Sequence, residues 1–184
     1  MFISKNAQSQ EGVFFETGLD PKMLALGPYE DSESGALDYI LKVGYKTHNY
    51  ELGVFAERFQ ATKFYTSGVF VAIPFIIWPP NKSSKTKLGA AIGMDAGIID
   101  RSALDSKTFT YALNAELRLI LNKNMTVKYT ANFRERSDLV KLYNEKNSFR
   151  FAGYVSFAYS LPFWLIWNKY FLLLDRKLLS ATYG

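Results

Sequence analysis

Hydrophobic residues recur at every second position over most of this chain. In the window 108–121, Phe109, Tyr111, Leu113, Ala115, Leu117, Leu119 and Leu121 take one face. Thr110, Ala112, Asn114, Glu116 and Arg118 take the other. Strict period two over that length predicts a β-strand with two unlike faces. After the polar turn 122–124, Met125, Val127, Tyr129, Ala131 and Phe133 alternate with Thr126, Lys128, Thr130, Asn132 and Arg134. Phe149, Phe151, Val155, Phe157 and Tyr159 then oppose Arg150, Ala152, Ser156 and Ala158.

The first half reads the same way. An opening strand sets Val13, Phe15 and Leu19 against Glu16 and Gly18. Leu37, Tyr39, Leu41, Val43 and Tyr45 oppose Asp38, Lys42, Gly44 and Lys46. A turn at 47–49 leads to Tyr50, Leu52, Val54 and Ala56 against Glu51, Gly53 and Glu57. Tyr65, Val69, Val71, Ile73 and Phe75 face away from Thr66, Gly68 and Ala72. Leu88, Ala90, Ile92, Met94, Ala96 and Ile98 face away from Gly89, Ala91, Gly93, Asp95 and Gly97. The sum is about eight strands, with no helix-length pattern between residues 12 and 160. The fold class is therefore all-β, an antiparallel up-and-down barrel.

Which face points inward decides the environment. The apolar face carries Phe, Tyr, Leu and Val on nearly every strand. The other face carries Gly, Ala, Ser and Thr with sparse charges. An eight-stranded barrel has an interior just wide enough for side chains to fill it, which suits small residues and a few charges. The apolar face then turns outward, as in a transmembrane barrel. A soluble, lipocalin-like binding barrel, with the faces exchanged, is the competing reading. The exchanged phase in a membrane would place Arg118, Lys128, Arg134 and Arg150 in lipid, at about 2–4 kcal/mol each near the midplane.

Charge sharpens this expectation. The inward acids are Glu16, Asp38, Glu51, Glu57, Asp95 and Glu116; the inward bases are Lys42, Lys46, Arg118, Lys128, Arg134 and Arg150. Equal numbers suit a plugged, salt-bridged lumen, because an unpaired buried charge is costly. The chain is 48% hydrophobic in its 184 residues, with 16% aromatics. Mean hydropathy is nevertheless only −0.07. No run reaches the roughly 20 apolar residues of a membrane-spanning helix. The net charge of +5 is interleaved rather than blocked, which argues against nucleic-acid binding.

The loop pattern fits a barrel with its N-terminus on the periplasmic side. The first and last loops, 20–36 and 137–147, are long; the turns 47–49 and 122–124 are short. The connections 78–87, long, and 60–63, short, depart from the expected asymmetry. Trp78, followed by two prolines, suits an interfacial anchor at a strand stop.

These features resemble the small outer-membrane β-barrels of Gram-negative bacteria, the eight-stranded class of OmpX and the transmembrane domain of OmpA. The strings Leu88-Gly-Ala-Ala-Ile-Gly-Met-Asp-Ala-Gly and Leu113-Asn-Ala-Glu-Leu-Arg-Leu resemble strands of Bacteroidota outer-membrane β-barrel families. The resemblance implies outer-membrane location, contact with membrane lipid and lipopolysaccharide, and handling by the barrel assembly machinery.

Three segments follow. Residues 1–11 are an N-terminal remnant or disordered segment, where Ala7-Gln8 resembles a signal-peptide end without the apolar core of one. Residues 12–161 are the barrel. Residues 162–184 form a tail carrying Trp164, Trp167 and Tyr170 as further interfacial anchors. The tail reads as an interfacial helix, an extension, or a segment that binds a protein partner.

Candidate chemistry is thin. There is no Cys and a single His, His48. His48 with Tyr50 and Glu51 is the only nucleus for a lipid-modifying enzyme, but it falls in a periplasmic turn and no Gly-x-Ser-x-Gly elbow occurs. The string Arg134-Glu135-Arg136-Ser137-Asp138 marks the outer rim, either contacting lipopolysaccharide phosphates or simply solvated. The acidic stretch 29–34 lacks EF-hand spacing. The expectation is a non-enzymatic outer-membrane barrel with no cofactor and no metal, acting in structure, adhesion or assembly through loops or tail. A small-solute channel remains an alternative.

Overall fold

The computed structural model describes residues 11–26, 36–59, 63–78, 86–101, 107–144 and 146–162. The anchors Trp164, Trp167 and Tyr170, the tail beyond residue 162, residues 1–10 and the acidic stretch 29–34 lie outside the described residues.

Eight strands follow in order: β1 (Gly12–Leu19), β2 (Asp38–Lys46), β3 (Glu51–Phe59), β4 (Phe64–Trp78), β5 (Lys87–Arg101), β6 (Thr108–Ile120), β7 (Met125–Glu135) and β8 (Phe149–Pro162). Each pairs antiparallel with its chain neighbour, and β8 returns to pair with β1. The sheet is therefore a closed up-and-down barrel without a free edge. Closure lets each strand pair on both sides within the sheet, which a lipid environment demands.

The starts of β1, β3, β5 and β7 and the ends of β2, β4, β6 and β8 share one end of the barrel with the turns 47–50 and 121–124; this is the turn end. The opposite strand ends, with residues 20–26, 36–37, 63, 107 and 136–144, form the loop end. Local chemistry sets the tight turns. Thr47 Oγ1 accepts from the amides of Asn49 and Tyr50 at 3.2 and 3.1 Å. Asn122 Oδ1 accepts from Asn124 and Met125 at 2.8 and 3.0 Å. Such side chains mimic a backbone turn.

Two short helices, absent from the alternation pattern, occupy the loop end: α1 (Pro21–Leu26) and α2 (Ser137–Tyr143). Asp20 caps the first, its Oδ1 accepting from the Lys22 and Met23 amides at 2.8 and 3.3 Å. Asn144 ends the second in a left-handed conformation.

The burial pattern alternates along the strands and is plainest in β6, where every second residue from Thr108 to Arg118 is buried. Among outward strand positions that are described, only Arg58, Asp100 and Glu135 are charged, all close to the loop end. Between the ends the wall is apolar: Leu41, Val54, Val69, Ile73, Ile92, Met94, Leu113 and Leu117 are all exposed. A soluble protein rarely shows an apolar patch above a few hundred Å². Aromatic side chains flank the band, with Tyr65, Phe109, Tyr111, Phe133 and Phe151 toward the loop end, and Phe75, Trp78 and Tyr159 toward the turn end. Two aromatic girdles bounding an apolar band fit a bilayer.

Candidate functional site

The lumen collects the charges that the alternation turns inward. Toward the turn end, three acids and three bases interlock. Arg118 donates from Nη1 and Nη2 to Glu51 Oε1 and Oε2 at 2.7 and 2.8 Å, and from Nε to Glu116 at 2.9 Å. Lys128 Nζ meets Glu16 at 2.7 Å and Glu51 at 3.4 Å. Lys42 Nζ lies 3.4 Å from Glu16 and 3.7 Å from Glu116. Each cation touches at least two anions, so the tier is locally neutral. All six side chains are buried.

Aromatic residues pack against this tier. Phe14, Ile40, Phe55, Phe70 and Tyr154 form one buried cluster. Lys128 and Lys42 sit 5.2 and 5.4 Å from the Phe14 and Phe70 ring centres. Ring faces thus receive part of the charge that water would otherwise solvate. The sequence expectation of a small-residue interior is corrected here. The small residues are present, but they make room for these rings: Gly44 lies so close to Phe14 that a Cβ there would collide with the ring.

A second polar tier lies toward the loop end. Arg134 reaches Asp95 at 3.0 Å and Glu57 at 3.3 Å. Asn114 and Asn132 donate to Asp95 at 2.9 and 3.3 Å, and Asn132 donates to Asn114 at 2.7 Å. Arg134 also lies 5.1 Å from the Phe55 ring centre. Asp38 is buried near this tier, and among the described residues its Oδ1 has no hydrogen-bond partner. Arg150 pairs in register with Arg134 on the neighbouring strand and is half-buried. Lys46 is likewise half-buried, at the turn end.

The mouth at the loop end is the feature the alternation pattern did not reach. Asp138, on the first turn of α2, is fully buried. It accepts from Arg101 Nε at 2.5 Å, and from Arg136 Nε and Nη2 at 2.9 and 3.1 Å. Arg136 stacks over Phe64 at 4.0 Å, and Phe64 packs with Phe59 and Ile99 beneath Met23 and Ala36. The expectation of a solvated rim at 134–138 is thus corrected for Arg134, Arg136 and Asp138, which turn inward, whereas Glu135 keeps the outward face. Burial pushes the Asp138 carboxyl up, but hydrogen bonds and charge from Arg136 and then Arg101 outweigh it and hold the group below the ordinary carboxylate range. Parity could have found Phe14, two positions from Glu16, and Phe55, two from Glu57. The charged string 134–138 pointed to Asp138 as a rim residue, but no signal pointed to its burial, because it lies in a connection where period two stops.

His48 sits in the exposed turn at 47–50, its Nδ1 2.8 Å from Glu11 Oε1. Among the described residues, no group of three or more His, Asp or Glu side chains is placed to hold a metal ion. Trp78 is exposed at the end of β4.

No family model and no curated protein matches the chain. It is similar to solved structures. One is Neisserial surface protein A (NspA), with 13% identity and a TM-score of 0.42, over 83% of this chain and 97% of that one. Another is Ail, the attachment invasion locus protein of Yersinia pestis, with 10% identity and a TM-score of 0.38, over 83% of this chain and 97% of that one. A second Ail structure, in complex with the heparin analogue sucrose octasulfate, matches at 8% identity and a TM-score of 0.38, over 82% and 97%.

Proposed function

We propose that this chain is an integral outer-membrane β-barrel that neither conducts nor catalyses, and that its loop end serves a structural, adhesive or assembly role. The observation that carries the reading is the wall: an uncharged apolar band between two aromatic girdles around a charged, filled lumen. That arrangement is stable in lipid and aggregation-prone in water. The loop end faces outward from the cell, since its connections include the two helix-bearing ones, and outer loops are the longer set in such barrels.

The interlocked tiers and the α2 cover support a closed lumen. Moving an ion through it requires breaking buried pairs, which is costly. His48 supports no acyl-transfer reading, because it lies in an exposed turn at the opposite end from the outer leaflet.

Fractionation and planar-bilayer recording test this reading. We expect recovery with membranes, slower or faster gel migration on heating, and no ion current. Recovery in the detergent-free soluble fraction removes the membrane assignment, and a steady unitary current removes the closed lumen.

A further inference from the structure

Two carboxylates at the loop end of the lumen lack the donors that burial demands. Asp38, the first residue of β2, is 6% exposed, and among the described residues its Oδ1 has no hydrogen-bond partner. Glu57 on β3 is 4% exposed. It accepts from the Tyr154 hydroxyl and lies 3.3 Å from Arg134, yet its Oε2 has no hydrogen-bond donor among the described residues. Asp38 pairs in register with Phe59, and Ile40 with Glu57. The two acids therefore leave the same inward face as diagonal neighbours on adjacent strands, a spacing that side chains can bridge.

The cations nearby are already engaged. Arg101 and Arg136 both bind Asp138, on α2. Arg134 is shared by Glu57 and by Asp95 on β5. Arg150, on β8 with Tyr154, donates to the Phe149 carbonyl at 3.4 Å. The described lysines of the loop end are exposed. The stretches 27–35, 60–62, 102–106 and 145, which lie outside the described residues, contain no Lys, Arg or His. The charges acting on Asp38 are the anions Glu57 and Asp20 first, and the cations Arg136 and Arg134 after them.

We infer that Asp38 and Glu57 are a proton-binding site: at neutral pH Asp38 carries a proton taken from water and donates it to Glu57. One O–H···O bond then satisfies both bare oxygens and removes one of two neighbouring buried anions, whose mutual repulsion favours the neutral form of one. The site is also coupled to the cover of the mouth. The Asp38 carbonyl accepts from the Asp20 amide at 2.9 Å, and the Asp20 carboxylate caps α1. Loss of the proton in alkali leaves Asp38, Glu57 and Asp20 as adjacent anions beneath α1. A proton held by the folded chain and absent from the unfolded one at neutral pH makes stability fall as pH rises. Asp138 under α2 responds in the opposite sense, so the two helices of the mouth answer to opposite ends of the pH range. None of this depends on what surrounds the outer wall.

The test uses the full-length barrel in phosphatidylcholine nanodiscs, with and without isotope label at the aspartate carboxyls. Infrared spectra at neutral pH should show the carbonyl stretch of a neutral carboxylic acid, displaced by the label and lost on titration to alkali. D38N should lack this band, and E57Q should keep it at a shifted frequency because the acceptor has changed. Wild type without such a band at neutral pH overturns the site, and this reading needs no variant to fold. A band that ignores the aspartate label, or that survives in D38N, overturns the assignment to Asp38. An unshifted band in E57Q overturns Glu57 as the acceptor. Amide exchange of residues 20–26, corrected for the intrinsic rate, reads the coupling. Protection there should fall about tenfold in alkali, the scale of an unsatisfied buried oxygen, in wild type and not in D38N. The same response in both overturns the coupling to α1.

Discussion

Arg118 and Glu51 lie 67 residues apart in the chain and meet across the lumen, both terminal guanidinium nitrogens donating to both carboxylate oxygens. The pair joins β6 to β3, strands that are not neighbours in the sheet. It therefore cross-braces the barrel where backbone hydrogen bonds cannot. Lys128, which links β7 to Glu16 on β1, does the same at a separation of 112 residues.

Removing one partner should be worse than removing the pair. R118M leaves Lys42 and Lys128 to balance Glu16, Glu51 and Glu116, so one buried negative charge is uncompensated, a loss of about 3–5 kcal/mol. The double variant E51Q/R118M restores part of that stability, because one anion leaves with the cation. Urea titration of the barrel in lipid vesicles, followed by tryptophan fluorescence, measures both. Equal stability of wild type and R118M would show that the tier is not load-sharing.

Acid should open the outer mouth before it unfolds the wall. The folded pKa of Asp138 is depressed by Arg136 and Arg101. Its contribution is therefore fully present above the unfolded carboxylate value and is lost as pH falls through the lower folded value. Amide exchange in residues 137–143 should accelerate below the ordinary carboxylate range while strand amides stay protected. In D138N the segment should exchange faster already at neutral pH, with little further response to acid.

A charge placed on the outer band reads out the environment directly. Leu113 is 58% exposed in the middle of β6. L113R should lower folding stability in bilayers by about 2–4 kcal/mol, as arginine does near the midplane of a barrel wall. The measurement is reversible urea folding into vesicles. A penalty near zero would mean that this surface faces water.

Crowding at Gly53 offers a fourth check. Gly53 pairs directly with Gly44, and a Cβ on it would strike the Val43 carbonyl and the Gly44 backbone. G53A should therefore cost about 1–3 kcal/mol by overpacking. The lowered urea midpoint should come with an unchanged slope. Substitution at Gly89, where an added Cβ meets its nearest atom at 3.2 Å, should be milder.

Period two determined which residues share a face, because consecutive side chains on a strand must leave opposite sides of the sheet, and the size and charge of the two sets decided which face turns to the lumen. Glu16, Glu51, Arg118 and Lys128 are legible in this way as inward residues, and so was the closed all-β architecture. Their partners were not legible. Which acid meets which base depends on the register of eight strands and on the diameter that closure imposes, and a one-residue slip would exchange them all. The lumenal rings of Phe14, Phe55 and Phe70 followed from the same parity, yet hydrophobicity argued for placing them outside. The mouth was out of reach for another reason. Asp138 lies in a connection with no periodicity, and only the fold brings Arg101, a β5 residue, to meet it. The wall of this protein is thus a local property of its strands, and the ion pairing across its lumen is a property of the whole ring.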